Sequence, residues 1–177
     1  VKSLSIYYHG NMVVDPVLVS TSGSVLLDND AIDIMCRRLL PMATVITPNI
    51  HEAEVLANMK IINKDDIKLA ARRILDYGCG AVLIKGGHIE GNNKCDILVE
   101  RKQNGYYEEH EYNSITVDSK NTHGTGCTLS SAIAAYLAQG MNLTHAVEEA
   151  KEYITMAIAE GADVCIGKGH GPLNHFF

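Results

Sequence analysis

The stretch NTHGTGCTLSSAIAAYLAQG, Asn121 to Gly140, sets Gly124, Thr125, Gly126 and Cys127 at the mouth of a segment rich in small residues. Glycines at such a place let the backbone approach a ligand closely and turn its N–H groups inward. A helix starting there adds the positive end of its dipole. Together these features hold an anion, either a phosphoryl group or the charge that develops while one is transferred. The loop is not a Walker A element, because G-x-x-x-x-G-K-[ST] does not occur in the sequence. The competing reading is a tight turn that lets a small-faced helix pack. Cys127 falls in the first turn of that helix, a position that favours a thiolate and hence a base or nucleophile. A free cysteine can equally be a small buried hydrophobe.

Three further places carry candidate chemistry. Asn49-Ile50-His51-Glu52 sets an amide and a carboxylate one short turn apart, hard oxygen donors suited to Mg²⁺ beside nucleotide phosphates. The same spacing makes Asn49 a helix N-cap with Glu52 as its capping-box partner. Asp15, before Pro16, can orient a magnesium ion or cap a turn. Lys85, before Gly86 and Gly87, can reach phosphate as a point charge or stand solvated at a strand end. The eight histidines show neither H-x-x-x-H nor H-E-x-x-H spacing, so His170 and His175 read as loop residues.

These residues need elements to position them. Met12 to Ser20 is a β-branched run interrupted at Asp15-Pro16 and closed by Ser22-Gly23, a buried strand breaking into a loop. Asp28 to Leu40 has helical apolar spacing that Pro41 ends. Ala43 to Asn49 is a second strand, followed by a helix from near His51. Asn63 to Asp66 predicts the N-cap region of a helix over Ile67 to Tyr77, and Ala81 to Gly87 a third strand. CDILVER and YYEEHEY flank Asn104-Gly105, a hairpin signal. Helices follow from Gly126 to Gly140 and from Leu143 to Glu160, with a loop-like tail.

Alternating strands and helices predict a parallel sheet with right-handed crossovers. In such sheets ligands sit beyond the carboxyl ends of the strands. Asp15, Asn49 with Glu52, Lys85 and the glycine loop all fall there, so four polar elements converge on one edge.

The 177 residues suit one domain, and 46% hydrophobic with 20% charged residues reads as globular. A formal charge of −6 argues against a nucleic-acid partner. Five cysteines without a C-x-x-C pair fit a reducing cytoplasm rather than a disulfide framework. No run approaches the ~18 apolar residues of a membrane span, and no signal peptide is expected.

VVDPV, TPNIHEAE, VLIKGGH, NTHGTGCTLSSAIAA and GKGHGPLNH together resemble the phosphomethylpyrimidine kinases of thiamine biosynthesis, in the ribokinase-like superfamily. The resemblance runs from about Met12 to the C-terminus, and T-H-G-T-G-C-T-L-S is its most specific part. Other ribokinase-like enzymes usually end this loop in aspartate. The cysteine branch holds these pyrimidine kinases and some related pyridoxal kinases.

The resemblance implies an α/β ribokinase-like fold over residues 1–177: a mostly parallel sheet flanked by helices, with a β-hairpin, in a single partial kinase domain. It implies ATP-dependent phosphorylation of 4-amino-5-hydroxymethyl-2-methylpyrimidine and then of its monophosphate, with Mg²⁺. Gly124, Thr125, Gly126 and Cys127 would form the anion hole, with Cys127 in the catalytic-base position. Asn49 and Glu52, helped by Asp15, would organise Mg²⁺ and the ATP phosphates. Lys85 would bind those phosphates, Val17 would touch the pyrimidine, and the helix over 151–158 would lie near the adenine. Partners would be ATP, a small pyrimidine and, as in many related kinases, a second copy of the chain. VKSLSIYYHGN is too short to supply the family's glycine-rich N-terminal region, so that region is expected to be missing and a sheet edge uncovered. A pyridoxal kinase and a truncated, non-catalytic nucleotide binder remain alternatives.

Overall fold

The structure, a computed structural model, describes residues 6, 8, 10–18, 26–86, 94–114, 117–165 and 167–177. Ser20, Ser22-Gly23 and Gly87, parts of the expected strand ends, lie outside the described residues. The chain forms two compact units, Val1–Asn113 and Ser114–Phe177.

The first unit is built on a sheet of five strands in chain order: β1 (Val13–Val14), β2 (Val45–Ile46), β3 (Ala81–Ile84), β4 (Lys94–Arg101) and β5 (Tyr107–Ser114). β1, β2 and β3 are parallel, with Val14 opposite Ile46 and Ile46 opposite Val82. β4 runs antiparallel to β3. β5 follows β4 through residues 102–106, too short for a parallel crossover, so the two form the expected hairpin. Gly105 there takes φ +81 and Asn104 Oδ1 accepts from the Tyr106 N–H.

The first two strands are shorter than the sequence suggests. β1 stops after Val14 because Pro16 has no N–H to continue a ladder. Backbone pairing nevertheless runs past β2: the Thr47 N–H donates to Val14 O at 3.0 Å, and Asn49 bridges Lys85 in parallel. The carboxyl ends of β1, β2 and β3 are therefore held side by side.

Helix α1 (Asn29–Ile34) is capped by Asp28, widens to a π-turn over Met35–Leu39 and tightens to a 3-10 turn over Leu40–Met42. Pro41 cannot supply the N–H that would carry the α-helix onward. Helix α2 (Ile50–Ala57) and helix α3 (Lys64–Leu75) connect β2 to β3. Both begin with a capping box, Asn49 with Glu52 and Asn63 with Asp66. α3 starts three residues earlier than the apolar pattern indicates, because its first turn is polar and the cap alone marks it.

α3 buries Ile67, Ala70, Ala71, Ile74 and Leu75, one face at helical spacing, against β3 and β4. Ile46, Val82, Ile84, Ile97 and Val99 fill the same core from the sheet. Each fully buried aliphatic side chain contributes roughly 1.5–3 kcal/mol. On the outer side of α3, Lys68 and Arg72 pair with Glu109 of β5.

In the second unit, helix α4 (Thr125–Ala138) and helix α5 (Leu143–Gly161) pack against each other. The four-residue link 139–142 turns at Gly140, φ +89, and Asn142 caps α5 through His145 N at 3.0 Å. The tail returns to both ends: Pro172 bridges His123, and the Asn174 N–H donates to Ala157 O at 3.1 Å. Among the described residues no helix is long and apolar enough to cross a membrane.

Candidate active site

In the first unit, the ends of β1, β2 and β3 gather three of the expected residues into one ionic cluster. Lys85 Nζ lies 3.0 Å from Asp15 Oδ1, and the Thr47 hydroxyl donates to the same oxygen at 3.3 Å. Both ionic side chains are largely buried, 20% and 15% exposed for Lys85 and Asp15. Asp15 Oδ2 takes no hydrogen bond among the described residues. The register that sets Asn49 beside Lys85 brings Asn49 into the group.

Glu52 is 3% exposed in the first turn of α2. Its Oε2 accepts the Asn49 N–H at 2.8 Å, and Asn49 Oδ1 accepts the Glu52 N–H at 2.9 Å. The capping reading of this pair is thus realised in full, and burial gives it a second consequence. Desolvation pushes the Glu52 carboxyl above its ordinary value, opposed by the Asn49 backbone bond and the Lys85 charge, while Asp15 pushes it further up. Two carboxylates therefore face one ammonium. That surplus of buried negative charge, with Asp15 Oδ2 open, fits a hard divalent cation such as Mg²⁺. Val17, 47% exposed, follows Asp15 in a tight turn.

In the second unit, Gly124 is the residue before α4 and has φ +87, a backbone shape that side chains rarely adopt. The Thr128 N–H is taken by Gly124 O, and the Thr125 hydroxyl donates to Thr122 O at 2.7 Å. The N–H groups of Gly126 and Cys127 make no hydrogen bond among the described residues. Open N–H groups at a helix start are what an anion requires.

Cys127 is exposed, whereas Cys36, Cys79 and Cys95 are buried. Burial pushes the Cys79 thiol up to about 11, which makes it inert. Cys127 is thus not a packing residue in this unit. It opens a cavity of about 530 Å³ along one face of α4, through Thr128, Ser131 and Ala135 to Tyr136. Tyr153 of α5 and His175 close the far wall, stacked with centroids 6.0 Å apart and joined by a hydrogen bond of 3.0 Å.

A family model described as "Phosphomethylpyrimidine kinase" matches residues 1–174. The chain belongs to the phosphomethylpyrimidine kinase family. It is 43% identical over 166 residues to a hydroxymethylpyrimidine/phosphomethylpyrimidine kinase of Synechococcus elongatus, covering 93% of this chain and 60% of that protein. A crystal structure of phosphomethylpyrimidine kinase from Clostridium difficile superposes with TM-score 0.72 at 41% identity, over 89% of this chain and 61% of that one. A pyridoxal kinase from Staphylococcus aureus superposes with TM-score 0.86 at 32% identity, over 98% and 61%. The fold is thus the ribokinase-like α/β fold of these kinases. The chain spans about 60% of the length of the Synechococcus relative.

Within this family frame, the motif residues Asp15, Asn49, Glu52 and Lys85 stand together in the first unit, and Gly124 to Cys127 form the start of α4 in the second. Sequence reasoning missed Thr47 and Asn121. Thr47 is fully buried, and its place two residues before Asn49 in TPN was the available signal. Asn121, 6% exposed, opens the glycine-loop motif, but its partners lie 40 and 43 residues away.

Proposed function

We propose that the chain is the larger part of a single kinase domain that phosphorylates 4-amino-5-hydroxymethyl-2-methylpyrimidine and then its monophosphate, using ATP. The observation that carries this reading is the exposed Cys127 directly behind the positive-φ Gly124, at a helix start whose N–H groups are open. In the first transfer the substrate hydroxyl oxygen bonds to the γ-phosphorus and the bond to the β,γ-bridging oxygen breaks. The electron pair leaves with ADP, and the hydroxyl proton passes to the Cys127 sulfur. In the second transfer a phosphate oxygen of the monophosphate is the nucleophile, and no hydroxyl proton is moved.

Gly124, Thr125 and Gly126 supply backbone shape and N–H groups for the charge on the moving phosphoryl group. Lys85 neutralises nucleotide phosphate. Asp15 and Glu52, with Asn49 fixing the helix start, hold Mg²⁺ directly or through water. When bound, the ion neutralises phosphate charge and aligns the phosphates. Val17 contacts the pyrimidine. A cytoplasmic homodimer with ATP and pyrimidine as its small-molecule partners completes the proposal.

A second reading, phosphorylation of a pyridoxal-type alcohol, is favoured by the higher structural similarity to a pyridoxal kinase. The test is turnover of Mg-ATP by the 177-residue chain with hydroxymethylpyrimidine phosphate or pyridoxal, products identified by mass. Pyrimidine diphosphate supports the main reading, and pyridoxal phosphate alone supports the second. Mg-ADP binding without any product makes the chain a nucleotide binder. Absence of both binding and product refutes the kinase assignment for this chain.

A further inference from the structure

Asn121 begins the glycine-loop motif, and its side-chain amide is turned to the end of α5. Its Nδ2 donates to Gly161 O and to Val164 O, both at 2.6 Å, and its own N–H is held by Ser119 Oγ at 3.0 Å. Gly161 ends α5 and Val164 lies three residues beyond it. One side-chain amide therefore uses both donors on the end of the neighbouring helix. The other side of the amide is sealed by the tail, because a Cβ on Gly171 would meet Asn121 Oδ1 at 2.0 Å. The tail adds its own ties: the His123 N–H donates to Gly171 O at 3.1 Å, and His170 Nδ1 lies 3.3 Å from Lys120 O.

Residues 120–123 are thus clamped between the end of α5 and the segment 170–172 immediately before the loop reaches Gly124. We propose that Asn121 is the positioning residue of the anion loop, and that the tail GHGP is part of that apparatus. The proposal rests on the kinase reading for its functional consequence but not for its structural one. Loop N–H groups stabilise a moving charge only if their place is fixed beforehand, since a displacement of about 1 Å loses most of the effect. The glycine loop has little side-chain bulk of its own to fix it, and α4 supplies only one side. Asn121 fastens the other.

Asn121→Asp is nearly isosteric and tests this, because it keeps the volume while setting a carboxylate oxygen against two carbonyl oxygens. Amide hydrogen exchange on the full chain is expected to show His123 and Asn174 exchanging about tenfold faster or more, the scale of one lost buried hydrogen bond. Ala146 and Ala150, inside α5, are expected to keep wild-type protection. Unchanged exchange at His123, or equal loss throughout α4 and α5, overturns the inference. In the turnover assay, kcat is expected to fall at least about tenfold with KM for the pyrimidine within about twofold, and Gly171→Ala to act in the same direction. Loss of local protection with unchanged kcat refutes the functional role while leaving the clamp. Absence of activity in the wild type refutes the kinase reading, and the exchange result still decides the clamp.

Discussion

Glu52 does two things that a substitution can separate. It caps α2 through the Asn49 N–H, and it lies buried, 3% exposed, beside Asp15 and Lys85. Glu52→Gln keeps one oxygen for the Asn49 bond and no longer buries a charge. Exchanging a charge-assisted bond for a neutral one costs about 1 kcal/mol and the relieved desolvation offsets it, so stability at pH 7 is expected within about 1 kcal/mol of wild type. Glu52→Ala keeps the Asn49 side-chain cap on the residue 52 N–H but leaves the Asn49 N–H without its acceptor and a small void beneath it, a destabilisation of about 1–3 kcal/mol. The pH dependence follows from the raised carboxyl. The folded protein holds the proton more tightly than the unfolded chain does. This contribution is fully present below the ordinary value of 4.5 and is lost as pH rises through the higher folded value. Wild type should therefore gain on Glu52→Gln as pH falls from 7 toward 4. Urea unfolding at both pH values measures this, and both variants should weaken Mg-ADP binding. Equal destabilisation by Gln and Ala, or a wild-type advantage that shrinks on acidification, would refute the reasoning.

Cys127→Ser should cut turnover by about a hundredfold, the usual size of a lost acid–base group, while urea stability stays within about 0.5 kcal/mol because the side chain is exposed. Lys85→Met should raise KM for ATP about tenfold or more, from loss of one charge-assisted contact to phosphate; an unchanged KM would return Lys85 to a purely structural pairing with Asp15. Two glycine substitutions should fail differently. Gly86→Ala sets a Cβ 1.8 Å from Cys95 O and should disrupt the β3–β4 pairing, read as loss of cooperative unfolding. Gly124→Ala meets nothing within 4 Å, so it should cost only about 1–2 kcal/mol of backbone strain while lowering kcat.

The residues that resemble the family were legible because each motif is local. Asn49 with Glu52, and Asn63 with Asp66, sit three apart, a spacing that itself brings side chain and backbone together at a helix start. Gly124 before α4, Gly140 after it and Pro41 after α1 likewise act through their own backbone preferences. Strand lengths were less legible, since pairing needs a neighbour that the local pattern does not contain. Val13–Val14 and Val45–Ile46 keep only two residues each as strand.

By itself, then, the sequence determined the helix starts, the glycine loop and the order of strands and helices, because these depend on contacts within a few residues. Only the tertiary structure decided which groups share a charge and which hold one another still. Lys85 meets Asp15 across 70 residues, and Asn121 meets Gly161 across 40. Such partners are chosen by packing and burial, which bring the strand ends and helix ends together and raise the strength of each polar contact made there. Whether Cys127 is buried or exposed is settled in the same way, by what packs over the first turn of α4.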